Sequence, residues 1–345
     1  MEKKLSQCKN CGSELVYDPQ KQILSCKYCF THYHLPKAKV NAVLVRGYSN
    51  AFHPNQLNQS LNCYKCEMCE HTYFSSSAEK SEECPECGSP NISKIQSSGY
   101  CADGIIPFEI SREKATENLV DYLKSKLGVP KNIVMQAKEK PLSGVFVPVW
   151  NFIFDIEASY TANAVDLRKD SNGMYYSIPI PVFGTKKESI KSADQCACSV
   201  EEDDFLELFN EYDYDKIIPY STEYTYGYRV DNINRNIHEY YEIVKNDEEE
   251  KLKKEISHHI LKKYKDVSNL KVETEPVDVY FNFAYVPVYV FTYTHKGRNY
   301  KTYVSGTTGK VVGKTPKTIK GALKAIAKTI GIFAAVALLC YFMFK

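Results

Sequence analysis

Alternation of apolar and polar side chains dominates the middle of the chain. The segments Asn151–Glu157 and Val290–Thr294 place aromatic or β-branched residues at every second position, which is typical of half-buried strands. Pro148 and Pro287 lie in the strands that lead into these segments, and proline in a strand indicates an edge, a strand start or a bulge. The pattern therefore predicts antiparallel sheet through most of the body.

Helical periodicity appears in three segments of the same region. Ser111 is a candidate N-cap for a helix that we expect to run to Lys126 with one apolar stripe. A second helix is expected around Asn232–Val244. The charged segment Asp247–Lys265 carries a third apolar stripe, flanked by opposite charges at helical spacing.

The body also contains a weak duplication. Ile105–Phe108 and Ile217–Tyr220 are similar, and each precedes a helix and then a similar strand, Gly144–Trp150 or Phe283–Tyr289. We therefore expect an α+β fold, in which two related antiparallel units, residues 101–200 and 201–313, carry helices on one face.

Eight of the thirteen cysteines form two copies of one pattern. In each copy 14 residues separate two Cys-x-x-Cys pairs, and each cysteine of the second copy lies 58 positions after its counterpart. The copies consist of Cys8, Cys11, Cys26 and Cys29, and of Cys66, Cys69, Cys84 and Cys87. Two such pairs supply four thiolates to a tetrahedral Zn²⁺ ion. The spacing predicts two zinc ribbons, residues 1–36 and 62–100, joined by a linker over residues 37–61.

Four cysteine ligands leave no open coordination position, so both zinc ions are expected to be structural. Iron and disulfide bonds are the alternatives for these cysteines. The chain opens with MEKK and no secretory signal, which favours a reducing cytoplasm. Cys63 is assigned outside the second site because its counterpart is Leu5. No matching partners are found for Cys101, Cys196, Cys198 and Cys340.

The C-terminal end has a different character. Thr329–Phe344 is a run of 16 uncharged residues, and it extends back to Ala322 if Lys324 and Lys328 are included. Lysines near a helix end can reach the lipid headgroups, so the run is interpreted as a single transmembrane helix, with a buried core helix as the alternative.

Basic residues precede this run. No acidic residue follows Asp278, whereas ten basic residues do. The juxtamembrane segment, residues 314–328, is expected to contact anionic lipid through Lys314, Lys317, Lys320, Lys324 and Lys328. The positive-inside rule then keeps the N-terminal part in the cytoplasm, anchored to the cell membrane by the C-terminus.

Composition and motifs narrow the function classes. Hydrophobic residues make up 43% of the chain and the formal net charge is +2, which excludes wholesale disorder and a surface coated for non-specific nucleic-acid binding. The motifs HExxH, GxSxG and GxGxxG are absent. Val304–Thr315 resembles a phosphate loop, but three residues rather than four separate Gly309 and Gly313, so a hairpin turn at Thr308–Gly309 is expected. No enzymatic activity is predicted.

Several longer motifs occur together with the paired ribbons: IIPFEISREKA (105–115), GVFVPVWNFIFD (144–155) and YVPVYVFTYTHKGRNYKTYVSGTTGKVVG (285–313). With these motifs and the terminal apolar run, the chain resembles bacterial transcription-factor-IIB-type zinc-ribbon membrane proteins. Such proteins are often labelled replication-restart helicase-like or phage-replication proteins. Some are encoded beside phage-shock-protein-A-like and flotillin-like proteins, so the resemblance implies a membrane-associated stress or scaffold role with these proteins as partners.

Two functions follow as expectations. The preferred one is a membrane-anchored, non-enzymatic adaptor that recruits cytoplasmic proteins through its ribbons and body. The alternative is a nucleic-acid-binding ribbon protein in replication or transcription. Acidic residues such as Glu67 and Glu70 crowd the second ribbon, which disfavours phosphate binding there.

Overall fold

A computed structural model of the chain describes residues 7–35, 46–47, 62–75, 84, 87–95, 102–196, 205, 207–233 and 237–316, with the backbone alone for residues 46 and 191–196. Several residues singled out in the sequence lie outside these ranges: Cys101, Cys198, Lys317, Lys320, Lys324, Lys328 and Cys340.

Fifteen strands form two sheets in these ranges. The first sheet contains β1 (Leu15–Asp18), β2 (Ile23–Cys26) and β3 (His32–His34). The second contains the other twelve strands: β4 (Arg46–Gly47), β5 (Asn62–Cys66), β6 (Thr72–Ser75), β7 (Ile92–Ile95), β8 (Gly104–Ile105), β9 (Ser143–Lys169), β10 (Tyr175–Cys196), β11 (Ile218–Pro219), β12 (Arg229–Asp231), β13 (Asp266–His295), β14 (Arg298–Ser305) and β15 (Val311–Val312).

Three long antiparallel strands organise the second sheet. β9 has 27 residues and lies between β10, with 22 residues, and β13, with 30. At about 3.4 Å per residue, β9 extends over about 90 Å. This three-stranded blade is the frame on which the remaining elements pack.

Three α-helices that lie wholly within the described residues accompany the sheet: α1 (Arg112–Ser125), α2 (Lys131–Glu139) and α3 (Ile237–Leu261). The Ser111 side chain accepts a hydrogen bond of 3.3 Å from the Lys114 N–H, which confirms the predicted N-cap. The two helices expected before and after residue 246 are one helix, α3, whose Leu252, Ile256 and Ile260 are buried against the blade.

The burial of residues along β9 depends on whether other elements pack against one face of the strand or both. From Gly144 to Phe152 every residue is buried. Phe146 and Trp150 face the main core with the helices, whereas Val147 and Val149 pack in a second cluster with residue 205 and residues 208–217. Beyond residue 154 exposed and buried residues alternate, because α3 covers only one face of the blade.

The fold class differs from the α+β prediction, because the protein is mostly β-sheet. The two similar segments of the sequence do not form separate units: Ile218 pairs with Ile105, and Phe283 pairs with Trp150, within one sheet. The prediction was wrong because the strands are longer than the apolar pattern indicates. Charged side chains such as Glu157 face solvent at alternate positions, so the sequence does not reveal the full length of each strand.

No helix among the described residues is both long and apolar enough to cross a bilayer. The longest, α3, has 25 residues and carries charges along most of its length. On this finding the predicted C-terminal anchor and the single-pass membrane location are wrong. The apolar run itself, from Ala322 or Thr329 to Phe344, lies outside the described residues, and Lys314 is exposed.

The predicted hairpin turn at Thr308–Gly309 is confirmed. β14 and β15 pair in antiparallel orientation on either side of it. The Ser305 N–H donates to the Lys310 carbonyl over 2.9 Å, and Gly309 has a φ of 75°. The segment therefore lies on a strand–turn–strand unit and not on the strand–loop–helix unit of a phosphate loop.

Candidate metal centres

Each ribbon contains two Cys-x-x-Cys turns closed by the same backbone hydrogen bond, called knuckles here, which begin at Cys8, Cys26, Cys66 and Cys84. In all four, the N–H of the first cysteine donates to the carbonyl five positions later, over 2.7 to 3.0 Å. This closed turn brings the side chains of both cysteines of a Cys-x-x-Cys pair to one side. Each half-site is therefore built from backbone contacts within a few residues of the chain.

A residue with positive φ follows the second cysteine of every knuckle. These residues are Gly12 (76°), Phe30 (57°), Glu70 (60°) and Gly88 (73°). The left-handed conformation costs a residue with a side chain about 1–2 kcal/mol. Glycine avoids that cost in one knuckle of each ribbon, and Phe30 and Glu70 bear it in the other.

The four sulfur atoms of each ribbon lie within 4.8 Å of one another. The shortest separations are 3.4 Å for Cys8–Cys29, 3.5 Å for Cys11–Cys26, 3.6 Å for Cys66–Cys87 and 3.7 Å for Cys69–Cys84. Tetrahedral Zn–S bonds of about 2.3 Å place sulfurs about 3.8 Å apart, whereas a disulfide needs about 2.05 Å. All eight cysteines are free thiols, so each ribbon fits four ligands around one ion.

The thiols of the first ribbon include two with a lowered pKa, Cys8 and Cys29, and one with a raised pKa, Cys11. The Tyr33 hydroxyl lies 3.4 Å from the Cys8 sulfur and lowers the pKa of Cys8. The Thr31 hydroxyl, 3.0 Å from the Cys29 sulfur, lowers the pKa of Cys29 to about 5. At Cys11 a backbone hydrogen bond from Ser13 lowers the pKa, but desolvation and the neighbouring thiols raise it to about 12.

The second ribbon likewise has one thiol with a lowered pKa, Cys66, and one with a raised pKa, Cys69. Burial opposes ionisation of Cys66, yet the backbone N–H groups of Cys69 and Met68 donate to its sulfur and lower its pKa to about 7. Desolvation raises the pKa of Cys69 to about 11. Four thiolates at these distances repel one another, so a bound cation is what permits all four to ionise together.

The first ribbon docks on the body through β1. The Tyr17 N–H donates to the Tyr226 carbonyl over 3.0 Å, and the Tyr17 ring lies edge-on to Tyr224 with centroids 5.3 Å apart. A Cβ added at Gly227, where φ is +85°, would lie 2.5 Å from Val16 Cγ1. Glycine at position 227 therefore permits the close approach of this ribbon.

The second ribbon is part of the large sheet. Its strand β6 pairs with β12, so that Phe74 lies opposite Val230. His71 Nε2 lies 2.9 Å from Asp231 Oδ1, and both side chains are nearly buried, at 6% and 9% exposure. Asn232 also donates to the Thr72 hydroxyl over 3.1 Å.

One segment of the body, Tyr224–Asn232, thus supports both ribbons, and it is called the docking segment below. β1 of the first ribbon and β6 of the second are equivalent strands, since Tyr17 and Ser75 are 58 positions apart. β1 contacts the segment at Tyr226, and β6 contacts it at residues 229–231.

The two ribbons present different side chains to solvent. In the first, Tyr28 is 77% exposed and Phe30 is 75% exposed, and both belong to the second knuckle. Lys27 in that knuckle and Lys9 in the first are exposed as well. In the second ribbon the exposed residues of the first knuckle are Glu67, Met68, the ligand Cys69 and Glu70.

The structure brings together all eight cysteines that the sequence proposed as metal ligands. Cys63 belongs to neither group and is buried in β5, opposite Phe74 and Ile95. Sequence reasoning missed Tyr33, Thr31 and the His71–Asp231 pair, because neither their residue types nor their spacing distinguishes them from ordinary polar residues.

Comparison with known proteins finds a similarity along most of the chain. The chain is 23% identical over 317 residues to the uncharacterized protein YdjG of Bacillus subtilis (strain 168), and the match covers 90% of this chain and 89% of that protein. No protein-family model matches the chain, and no solved structure matches it significantly. Function therefore has to be argued from the two metal centres and the surfaces around them.

Proposed function

We propose that the chain is a non-enzymatic zinc protein, an adaptor in which the first ribbon binds a partner protein and the second stabilises the body. The observation that carries this proposal is the exposed aromatic pair Tyr28 and Phe30, held in the second knuckle of a ribbon that is docked through β1.

Phe30 is unfavourable for stability in two respects. Its ring is 75% exposed, and its φ of 57° is left-handed. The equivalent position of the second ribbon is occupied by Gly88, which has the same backbone conformation without strain. Strained residues of this kind concentrate at functional sites, so a role for Phe30 in binding accounts for its presence.

The surroundings of the pair suggest the chemistry of the partner. Exposed aromatic side chains serve as interface anchors, because they bury a large area when a partner covers them. Lys9 and Lys27 lie in the knuckles of the same ribbon and favour a partner with acidic residues around an apolar pocket. Phage-shock-protein-A-like and flotillin-like proteins, which the sequence resemblance implies, are the first partners to test.

Zinc is the proposed metal, and its role is structural. Four thiolates form a closed site for Zn²⁺, and β1–β3 is too small to bury a core of its own. Elemental analysis of the purified chain should find two zinc ions per molecule. A colourless protein with less than one zinc, or a coloured protein with iron, would contradict this assignment.

A photo-crosslinking experiment tests the adaptor role. A photoreactive phenylalanine analogue is placed at Tyr28, or as a matched control at Met174, which is 71% exposed in the β9–β10 hairpin. We expect a specific protein adduct from position 28 that is absent from position 174. The purified partner should then bind wild type at least about tenfold more tightly than Tyr28→Ser, as is usual for an interface anchor.

The zinc content of Tyr28→Ser should remain two ions per chain. Equal adducts from positions 28 and 174, or unchanged partner affinity of Tyr28→Ser, would contradict the adaptor proposal.

The same aromatic pair supports a second candidate function, binding of single-stranded nucleic acid. Bases stack on exposed aromatic side chains with about 1–3 kcal/mol per base, and nearby lysines contact phosphates. This function requires affinity for oligonucleotides that falls steeply with salt and is reduced by Tyr28→Ser. Absence of binding at low salt to the zinc-loaded chain would eliminate it.

A further inference from the structure

The two proposed metal centres differ in the charges around them. A divalent ion with four thiolates carries a formal charge of about −2. In the first ribbon, Lys9 and Lys27 lie between the cysteines of the two knuckles. The equivalent residues of the second ribbon, 58 positions later, are Glu67 and Pro85. The second centre therefore has no basic residue within its Cys-x-x-Cys pairs.

A cation for the second centre comes from the docking segment instead. Arg229 begins β12, which pairs with β6, and its guanidinium lies 5.5 Å from the centre of the Tyr73 ring. Tyr73 is completely buried and packs in one cluster with Cys66 and Cys84. The guanidinium is thus held against the apolar shell of the second set of ligands.

The electrostatic surroundings of Arg229 agree with this placement. Burial lowers the pKa of Arg229, the electrostatic interactions with Tyr73, Cys84 and Asp231 oppose that shift, and Arg112 adds to it. Asp231 is already engaged by His71 over 2.9 Å. Cys84, one of the proposed ligands, is therefore among the groups that stabilise the half-buried guanidinium, and by reciprocity Arg229 favours the thiolate form of Cys84.

We propose that Arg229 is a positioning residue of the second metal centre, a cation outside the ligand shell that makes metal retention there depend on the docking segment. This proposal rests on the metal-binding part of the proposed function. The first centre, with lysines in its own knuckles, does not require such a residue from the body.

Cadmium-113 NMR of the full-length protein tests this proposal, because the two four-cysteine centres give separate resonances that Cys11→Ser assigns. Chelator-driven release is followed for wild type, Arg229→Lys and Arg229→Met. We expect Arg229→Met to accelerate release from the second centre by about 10–100-fold, the usual effect of removing an outer-shell partner. Arg229→Lys should stay within about fivefold of wild type, and release from the first centre should be unchanged in both variants.

Three results would overturn the proposal. They are unchanged release in Arg229→Met, equal acceleration in Arg229→Lys and Arg229→Met, and equal acceleration at both centres, which indicates general unfolding. If Arg229→Met does not fold, Arg229→Gln enters the same comparison as the uncharged variant. Wild type that binds no metal refutes the proposed function itself, whereas two bound ions with unchanged release refute this inference alone.

Discussion

The two ribbons have the same spacing of ligands, yet they are supported in different ways. The first forms its own three-stranded sheet and contacts the body through β1 and through Gln22, whose side chain donates to the Phe108 carbonyl over 2.9 Å. The second contributes β5, β6 and β7 to the large sheet. The equivalent strands β1 and β6 contact neighbouring parts of one docking segment. Of these two strands, only β6 pairs with a strand of that segment, β12.

This difference separates two tasks that a zinc ribbon can perform. A ribbon that does not join the large sheet can present a knuckle to a partner, and Tyr28 and Phe30 are exposed in the second knuckle of the first ribbon. Under the proposed function, a ribbon that is paired into a sheet stabilises the strands beside it when its metal is bound. The same set of four thiolates would then serve recognition in the first ribbon and stability in the second.

The largest expected effect distinguishes the two ribbons directly. Cys11→Ser and Cys69→Ser remove equivalent, exposed ligands, and structural zinc contributes on the order of 10–16 kcal/mol to a ribbon. Hydrogen exchange followed by mass spectrometry should show loss of protection in β1–β3 for Cys11→Ser. For Cys69→Ser the loss should extend beyond β5–β7 to β12, because β6 and β12 are hydrogen-bonded. Loss confined to β5–β7 would contradict the proposed coupling.

A smaller effect is expected at the buried polar contact between the second ribbon and the docking segment. Asp231→Ala leaves His71 buried without its 2.9 Å partner, which should lower the free energy of unfolding of the zinc-loaded protein by about 1–3 kcal/mol. Urea denaturation measures this change.

Lys65→Ala is the matched control in the same ribbon, because Lys65 and Glu70 form an exposed pair 3.9 Å apart. Such a pair contributes about 0–1 kcal/mol. Equal losses for Asp231→Ala and Lys65→Ala would show that the buried contact has no special role in holding the second ribbon.

The sequence predicted the metal ligands of the two ribbons but not the contacts that attach the ribbons to the body. The ligands were recognisable because a Cys-x-x-Cys pair folds locally and the copies repeat at a fixed interval. The attachment of Tyr17 to Tyr226, or of His71 to Asp231, joins residues more than 150 positions apart. A single sequence carries no local signal for such pairs, and intervening elements decide which strands meet.

The fold class was mispredicted for a related reason. Alternation revealed that β9 and β13 are strands, and the helix after Ser111 was recognisable from its cap and stripe. The sequence did not indicate that the duplicated strands pair with each other, as Phe283 does with Trp150. That pairing depends on the register of two strands of 27 and 30 residues, which only the assembled sheet fixes.

A further variant tests the close approach of the first ribbon. Gly227→Ala places a methyl group in left-handed backbone and 2.5 Å from Val16, and we expect a loss of about 2 kcal/mol with faster hydrogen exchange in β1. Gly173→Ala is the matched control, because Gly173 has a φ of +86° but only a Lys169 carbon atom, 3.6 Å away, near the added group. If both variants lose the same stability, the contact with Val16 does not restrict position 227.

The smallest expected effect has the opposite sign and bears most directly on function. Phe30→Gly should raise the free energy of unfolding by about 1 kcal/mol, because glycine adopts the φ of 57° without the steric cost that phenylalanine bears. The same variant removes a 75% exposed ring, so it should weaken partner binding at least as much as Tyr28→Ser does. Glu70→Gly, the corresponding change in the second ribbon, should gain similar stability without affecting partner binding. A Phe30→Gly protein that is more stable and still binds its partner normally would remove the functional reason for an aromatic residue at position 30.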